Sequence, residues 1–211
     1  MNNTGASVLS ILIPSIPARI HQRVALEMEL RRQHQHLIDQ GMLGEIEVLV
    51  DDRPGFLKGG PSIGSKRGDL VKQAQGLYLC FLDDDESIAP NYVDTLLRLC
   101  NTGADVCTFR AMVKLETAWG LVDMRLAYKV NDQFTPEHTL RRPPWHTCPV
   151  KTEFAKLYEF QDKSNAEDFS WFEQVLTHCA TEAHTDKIIF QYNHGPHSEA
   201  DKIEAHVQPE Q

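Results

Sequence analysis

The 211-residue sequence lacks the features that mark several large classes of protein. It contains no C-x-x-C pair, and its five cysteines are odd in number and widely spaced, which argues against a zinc knuckle and a disulfide framework. No internal repeat and no low-complexity block occurs along the chain. We therefore expect an ordinary globular protein whose cysteines are buried, reduced thiols.

Positive charge and long apolar runs are scarce as well. The formal net charge is −9, which argues against a broadly basic nucleic-acid-binding surface but leaves a local basic cleft open. The N-terminus has no basic segment of the kind that begins a signal peptide, and the apolar run at residues 8–13 is too short to span a membrane. These features predict a cytoplasmic protein with no membrane partner.

The first half of the chain alternates predicted strands with predicted helices. The strands are expected at residues 8–13, 45–50, 77–82 and 105–110, and the helices at 19–39, 65–75 and 91–100. Such alternation is typical of a mostly parallel sheet flanked by helices, and no convincing linker interrupts it. We predict a single α/β domain. Ile20, Val24 and Met28 share one face of the first helix, the pattern of an amphipathic helix.

The second half of the chain is less regular. Its predicted elements are strands or a hairpin within 112–130, an irregular segment rich in proline and histidine at 135–149, short helices near 150–156 and 167–178, and a last strand at 187–192. A polar tail from Ser198 should fray. The loop at 53–64 holds four glycines and two prolines, so we expect it to be mobile or to wrap around a ligand.

Carboxylates follow two of the predicted strands. Asp83, Asp84 and Asp85 come directly after the third strand, and Asp51 and Asp52 after the second. Open α/β sheets bind their ligands at the carboxyl ends of the strands. Adjacent carboxylates repel one another, and Mg²⁺ or Mn²⁺ carrying a phosphate would satisfy them. The alternative is a solvated turn and helix cap, which the three aspartates taken alone would favour.

Cations are predicted at the same rim of the sheet. Lys66 and Arg67 lie near the start of a helix, where exposed amides and positive charge suit a phosphate. Taken alone, they would be ordinary surface charges. Pro14 and Ser15 end the first strand, and Arg19 follows closely. Carboxylates and cations together predict a metal-bound, anionic nucleotide ligand.

Several ordered motifs resemble those of family 2 glycosyltransferases with the GT-A fold. Residues 8–14, 47–52, 64–69 and 76–86 resemble the nucleotide-binding half of that family, and residues 165–168 followed by Trp171 resemble its acceptor-side motif. The stretch HTCPVK at 146–151 is similar to one shared by small stand-alone glycosyltransferases of bacteriophages. The resemblance implies a Rossmann-like GT-A domain at 1–197, with a nucleotide-binding half at about 8–110, an acceptor half at about 111–197, and a polar tail at 198–211.

The resemblance implies metal-dependent transfer of a sugar, with inversion, from a nucleotide-diphosphate sugar (a UDP-sugar above all) to an acceptor hydroxyl. The phage enzymes suggest a hydroxymethylated pyrimidine in DNA as the acceptor, with the host cytoplasm as the location, whereas a glycan, a lipid or a protein side chain is more conventional. No amphipathic or spanning segment supports a lipid. Contact with DNA would need a confined basic patch, for which Arg141, Arg142 and Lys151 are candidates.

The resemblance also implies roles for individual residues. The residues assigned to the donor nucleotide are Pro14, Ser15, Arg19, Asp51, Asp52, Lys66, Arg67, Asp83 and Asp84. Asp85 would bind the Mn²⁺ or Mg²⁺ ion directly, and His194, ahead of His197, would complete its shell. The sequence departs from the family at Gly68, where asparagine is frequent, and at Ala166, where glycine is common. Gly68 has no side chain to form the hydrogen bond that the resemblance implies for an asparagine at this position.

Asp168 is the predicted general base. With Glu167 it lies in the first turn of the helix at 167–178, whose positive end stabilises an ionised carboxylate. Transfer with inversion needs such a carboxylate to take the proton of the acceptor hydroxyl. The alternative is that these acids merely cap the helix, with Asn165 or Ser164 as the cap residue.

Three aromatic side chains are further candidates. His146, beside Trp145 in the segment rich in proline and histidine, would contact donor or acceptor. Trp145 and Trp171 suit stacking on a sugar or base, and core packing is equally compatible with the sequence.

Three other functions compete with glycosyl transfer. A nucleotidyltransferase would usually carry a glycine-rich loop after the first strand, where this chain has residues 14–17, PSIP. An aspartate-nucleophile phosphatase would place its aspartates after the first strand rather than the third. A non-catalytic module that binds a sugar or metal would keep Asp85 but would not need Asp168.

Overall fold

A computed structural model describes residues 7–42, 44–115, 118–129 and 139–194. The strands in this part of the chain are β1 (Ser7–Pro14), β2 (Glu45–Asp51), β3 (Tyr78–Phe81), β4 (Ser87–Ile88), β5 (Val106–Leu115), β6 (Ala118–Met124), β7 (Leu140–Arg142), β8 (Val150–Lys151) and β9 (Glu182–His194). The α-helices are α1 (Ile20–Asp39), α2 (Ile63–Gln73), α3 (Tyr92–Cys100), α4 (Thr152–Ala155) and α5 (Glu167–Leu176). Short 3-10 helices occur at Pro17–Arg19 and Phe56–Lys58.

The strands form one mixed sheet, which confirms the predicted α/β class. Its order is β2-β1-β3-β8-β5-β6-β7, and β9 pairs with both β5 and β4. The first three strands are parallel, as the alternation of strands and helices predicted. The expected hairpin is the antiparallel pair of β5 and β6. Because β1, β2 and β3 are parallel, their carboxyl ends lie at one edge of the sheet.

The core is centred on β1 and β3. The fully buried aliphatic residues of β1 are Leu9, Ile11, Leu12 and Ile13, and all four residues of β3 are buried. Such near-continuous apolar runs are typical of strands covered on both faces. On α3, Val93, Leu96 and Leu97 are all buried.

The prediction for the apolar face of α1 is wrong, because that face does not pack against the core. Ile20, Val24 and Met28 are exposed, Met28 to 66%. The buried residues of α1 are Leu26, Leu30, Gln33 and Leu37. Gln33 selects this face, because its side chain donates to the carbonyl of Ala89 at 2.9 Å and accepts from the amide of Val93 at 3.0 Å. A weakly amphipathic helix therefore takes its orientation from polar contacts beside α3.

Several predicted boundaries also change. The helix expected near 150–156 is reduced to the single turn of α4, because residues 150 and 151 form β8. Part of the irregular segment at 135–149 pairs with β6 as β7, and residues 135–138 lie outside the described part. The last strand is longer than 187–192, since β9 pairs with β5 along most of its length. The tail at 198–211 lies outside the described residues.

Two further features concern the cysteines and the helices. All five cysteines lie in this part of the chain and are free, and four of them are buried. None of the described helices has the length and apolar character needed to cross a membrane.

Gly76 allows the chain entering β3 to pass close to β1. A Cβ atom at this position would lie 2.6 Å from the backbone nitrogen of Ser10, and the Gly76 amide donates to Ser10 Oγ at 2.8 Å. Only a hydrogen atom fits there. In contrast, a Cβ atom at Gly68, inside α2, would meet nothing nearer than Phe160 at 3.7 Å.

We expect Gly76→Ala to destabilise the protein by about 1–3 kcal/mol, because the methyl group collides with backbone. The matched variant Gly68→Ala should stabilise it by about 0.5–1 kcal/mol, since alanine is the better helix former. Urea unfolding followed by circular dichroism measures both. Equal midpoints for Gly76→Ala and the wild type would contradict the close approach of the two chain segments.

Candidate active site

Asp84 links the ends of β1 and β3. Ser15 Oγ donates to Asp84 Oδ2 at 2.7 Å, and an Arg19 Nη donates to Asp84 Oδ1 at 2.9 Å. The carboxylate of Asp84 is buried, and burial raises the pKa of Asp84 although Ser15 and Arg19 oppose the shift. Arg19 also lies 3.2 Å from an oxygen of Asp85. The structure thus brings together Ser15, Arg19 and the aspartates, as the sequence predicted.

Arg67 joins three elements through one buried guanidinium group. Its Nη2 donates to Asp83 Oδ1 at 2.9 Å, and its Nε donates to Glu167 Oε1 at 3.1 Å. The same group lies 4.8 Å from the ring centroid of Phe81. Arg67 therefore connects α2 with the end of β3 and the start of α5.

The sequence predicts that the start of α2 exposes backbone amides to a phosphate. In the structure, other groups of the protein accept hydrogen bonds from these amides. Ser62 caps α2, accepting from the amide of Ser65 at 3.1 Å, and the Gly64 amide donates to the carbonyl of Lys163 at 3.0 Å. Lys66 is buried, and its ammonium group donates to the carbonyl of Ser15 at 2.6 Å. Lys66 is thus a buried cation beside the end of β1 rather than a surface charge.

The acids after β2 differ in environment. Asp51 is buried and accepts hydrogen bonds from Arg53, with Nε at 2.9 Å from Oδ1. These bonds lower the pKa of Asp51 below its usual range, although burial opposes the shift. The side chain of Asp52 is mostly exposed and lies 3.5 Å from Arg23. The sequence indicated Asp51 but not its partner Arg53.

A cavity of about 200 Å³ lies between the end of β1 and the start of α2. The predicted donor residues that line it are Pro14, Ser15, Arg19, Lys66 and Asp84. Phe56, which is 65% exposed, also lines it. The loop at 53–64 therefore borders this cavity, and it does so in part through Phe56, a residue that the sequence motifs did not indicate.

Asp168 is held by two side chains of the segment that precedes β8. Asp168 Oδ2 lies 2.7 Å from Nδ1 of His146 and accepts a hydrogen bond from Nε1 of Trp145 at 3.0 Å. His146 is only 2% exposed, and its Nε2 lies 3.9 Å from Asp83 Oδ2. Burial opposes ionisation of Asp168, but His146 and the nearby Arg67 hold the pKa of Asp168 well below its usual range.

The helix-cap alternative for these acids is not what the structure shows. The N-cap residue of α5 is Ala166, not Asn165 or Ser164, and no side chain caps the helix. Glu167 and Asp168 have other partners, Arg67 and His146. Ala166 has a φ of 52°, in the left-handed region that favours glycine, which accounts for the glycine common at this position in the resembling family.

The two tryptophans divide between core and site. Trp171 is buried, stacks on Phe160 with ring centroids 4.4 Å apart, and donates to the carbonyl of Tyr158 at 3.1 Å. It is a core residue, so stacking on a ligand is excluded for it. Trp145 is half-buried and contacts Asp168 directly.

Asp85 has the most exposed side chain of the three aspartates after β3, at 45%, and a carboxylate oxygen is a ligand that Mg²⁺ and Mn²⁺ prefer. Burial, together with the neighbouring acids Asp83 and Asp85, raises the pKa of Glu86 to about 9. Asn193 donates to the carbonyl of Asp85 at 2.8 Å, so the end of β9 reaches this loop. The side chain of His194, the next residue, and His197 lie outside the described part.

Within the described part of the chain, a group of three metal-type ligands occurs away from the aspartates after β3, which do not form such a group there. Ligand atoms of Asp123, His184 and Asp186 lie within 4.8 Å of one another. However, Arg110 lies 2.9 Å from Asp186, and Arg125 lies 3.5 Å from Asp123. These guanidinium groups already supply positive charge, so a cation would compete with them.

The proposed basic patch is not a single surface. Lys151 pairs with Asp105 at 2.7 Å and belongs to the contact between β8 and β5. Arg141 is exposed and Arg142 half-buried, as expected for neighbours on a strand whose side chains alternate between faces. The grouping of Arg141, Arg142 and Lys151 is therefore wrong, because β5 and β6 lie between β8 and β7 in the sheet.

Replacement of His146 tests the electrostatic link to Asp168. We expect His146→Gln to raise the pKa of Asp168, because the contact that stabilises the carboxylate is weakened while burial remains. Titration of the Asp168 carboxyl carbon by NMR measures the shift. His178→Gln, on a histidine that contacts Tyr158 instead, is the matched control and should leave the pKa of Asp168 unchanged. An unchanged pKa in both variants would show that His146 does not hold the carboxylate.

No protein-family model matches the chain, and no curated protein matches it in sequence. Solved structures match its fold. S. aureus TarS 1–349 in complex with UDP-GlcNAc has a TM-score of 0.60 and 14% sequence identity, over 92% of this chain and 60% of that one. The complex of S. aureus TarS 1–349 with UDP has a TM-score of 0.57 and 14% identity, over 90% of this chain and 61% of that one.

This chain thus spans about 60% of the length of these neighbours. At such low identity the similarity establishes the fold. The mixed sheet flanked by helices matches a glycosyltransferase fold.

Proposed function

We propose that this chain transfers a sugar from a nucleotide-diphosphate donor to an acceptor hydroxyl, with Asp168 as the general base. The position of Asp168 carries the proposal. Its carboxylate is fixed by His146 and Trp145, and His146 in turn faces Asp83 at the end of β3. His146 thus connects the ionised carboxylate of Asp168, in the second half of the chain, with the aspartates that follow β3.

The donor nucleotide is assigned to the cavity between β1 and α2. Arg19 and Lys66 border it and offer positive charge to a diphosphate, while Phe56 offers a ring on which a base can stack. Asp51, at the end of the adjacent β2, is assigned to the base or ribose. The neighbours bind UDP-GlcNAc and UDP, which supports a UDP-sugar as donor. We assign the donor to residues 8–110 and the acceptor to 111–197.

Asp85, with His194, would hold Mn²⁺ or Mg²⁺. The ion would supply positive charge to the departing diphosphate. Asp84 is unsuited to direct coordination because its oxygens already bind Ser15 and Arg19. Its role is to fix Arg19 beside the cavity.

The chemical step moves one proton and one electron pair. Asp168 takes the proton of the acceptor hydroxyl, and the acceptor oxygen forms a bond to the anomeric carbon of the sugar. The bond from that carbon to the diphosphate breaks, and its electron pair leaves with the diphosphate. Attack opposite the leaving group inverts the anomeric centre. His146 is a positioning residue that keeps Asp168 ionised and oriented.

The donor site is tested by calorimetry with UDP and GDP, each with Mn²⁺ and again with EDTA. We expect UDP to bind only with the metal, and Asp85→Ala to lose this binding, because the metal loses its direct ligand. Asp186→Ala removes an acid from the other carboxylate group and should bind like the wild type. Absence of binding for both nucleotides under both conditions would refute the proposed donor site.

Asp168→Asn should lower the rate of sugar transfer by about 10²–10⁴-fold, because the proton acceptor is lost. Its affinity for UDP should stay within about twofold of the wild type, since the donor cavity is untouched. Release of UDP in the presence of glycan and hydroxymethylpyrimidine acceptors measures the rate. Asp94→Asn, on the exposed face of α3, is the control.

The dependence of this rate on pH gives a further check. Because His146→Gln raises the pKa of Asp168, the acid limb of the rate profile should move to higher pH. Full transfer activity in Asp168→Asn would exclude Asp168 as the base. UDP binding by the wild type without any transfer would instead favour a non-catalytic sugar-binding module.

A further inference from the structure

The side of α1 that faces away from the core carries exposed apolar side chains along the length of the helix. Ile20, Val24, Met28 and Ile38 are between 39% and 66% exposed. At 3.6 residues per turn, Ile20 and Ile38 lie on one line along the helix, about five turns apart, and Val24 and Met28 lie close to that line. The buried residues of α1 occupy the opposite side. A large exposed apolar patch of this kind commonly marks a surface that binds another protein.

Two charged residues, Glu27 and Arg31, interrupt the apolar row near its middle. The side chain of Arg31 is 73% exposed, and its guanidinium lies 3.6 Å from the carboxylate of Glu27, one turn earlier. Glu27 also pairs with Arg23. We call Ile20, Val24, Glu27, Met28, Arg31 and Ile38 together the outer face of α1. Its centre is charged, with one residue of each sign, and both of its ends are apolar.

The outer face is complementary to itself when it is turned around. Glu27 and Arg31 are equally far from residue 29 on its two sides, and so are Ile20 and Ile38. A two-fold axis beside residue 29 would therefore place Ile20 against the partner's Ile38 and Glu27 against the partner's Arg31. Each ion pair and each apolar contact would occur twice. This symmetry favours a second copy of the chain as the occupant of the face.

The charges also select the direction of the second helix. In a parallel pair, Glu27 would lie against the partner's Glu27, and Arg31 against the partner's Arg31. Juxtaposed like charges weaken an interface, whereas opposite charges set its register. The antiparallel arrangement removes this repulsion and keeps the apolar ends together.

We propose that the outer faces of two copies of this chain pack against each other as an antiparallel helix pair in a two-fold dimer. One helix from each copy forms a small interface, so we expect a weak dimer with a dissociation constant of about 1–100 µM. Arg19, which lines the donor cavity, directly precedes Ile20. The two donor cavities would thus lie at opposite ends of the helix pair. The inference concerns assembly and does not depend on the proposed function.

Sedimentation equilibrium of the full chain tests the dimer over concentrations from about 1 to 500 µM, a range that brackets the expected dissociation constant. We expect a reversible monomer–dimer equilibrium. Met28→Glu places a charge at the centre of the outer face and should leave the protein monomeric over this range. Leu157→Glu makes the same kind of change at a residue that is 58% exposed elsewhere, after α4, and should dimerise like the wild type. Circular dichroism reports that both variants are folded.

Charge reversal tests the ion pairs. We expect Arg31→Glu to weaken the dimer by about tenfold, because two attractive pairs become repulsive. The matched control is Arg32→Glu, which makes the same change in net charge on the same helix. Arg32 bonds to Glu29 at 2.7 Å, away from the outer face, so its reversal should leave the dissociation constant within about twofold of the wild type.

Disulfide trapping tests the direction of the helices. A double variant, Ile20→Cys with Ile38→Cys, should form a covalent dimer when oxidised glutathione is added, because each new thiol lies against the partner's other one. Ile20→Cys alone should not, since the two copies of residue 20 are at opposite ends of the pair. Rapid trapping of the single variant would indicate parallel helices and would overturn the inference.

The other outcomes are equally direct. A chain that stays monomeric at every concentration would overturn the inference, and the outer face would then belong to another occupant, such as residues 198–211. A dimer that Met28→Glu leaves intact would place the interface elsewhere and would also overturn it. Equal effects of Arg31→Glu and Arg32→Glu would refute the proposed register.

Discussion

The site depends on the ion pairs formed by the buried guanidinium group of Arg67. It binds Asp83 at the end of β3 and Glu167 at the start of α5, so one side chain sets the position of α5 against the sheet. A charge buried in this way is tolerated only when its partners are in place. Loss of either carboxylate would leave part of the guanidinium without a counter-charge. The position of Asp168, the residue after Glu167, follows from this pairing.

From Asp83 the contacts continue through His146 to Asp168 and Trp145. The cavity lined by Asp84, the neighbour of Asp83, also holds Arg19 and Lys66, the cations expected for a donor diphosphate. Burial opposes ionisation of Asp168, and His146 and Arg67 overcome it, so the carboxylate stays ionised although it is largely enclosed.

The sequence predicted the features that depend on local pattern. The apolar runs of β1 and β3 indicated buried parallel strands, and the acids after β2 and β3 indicated a site at their carboxyl ends, since consecutive parallel strands share that edge. The prediction of the buried face of α1 was wrong because this helix carries two rows of apolar side chains, of which only one packs against the core. Gln33, a polar residue, selected the buried one through contacts beside α3, and no local rule contains that choice.

The sequence by itself therefore determined the α/β alternation, the buried strands and the carboxyl groups available for chemistry, because these follow from hydrophobic period and from residue type. Only the tertiary structure decided which groups meet. Asp168 and His146 are 22 residues apart, and the pairing of Arg67 with Glu167 spans 100. Ion pairs over such separations arise from packing of the sheet, which also buried Lys66 and paired Lys151 with Asp105 away from Arg142.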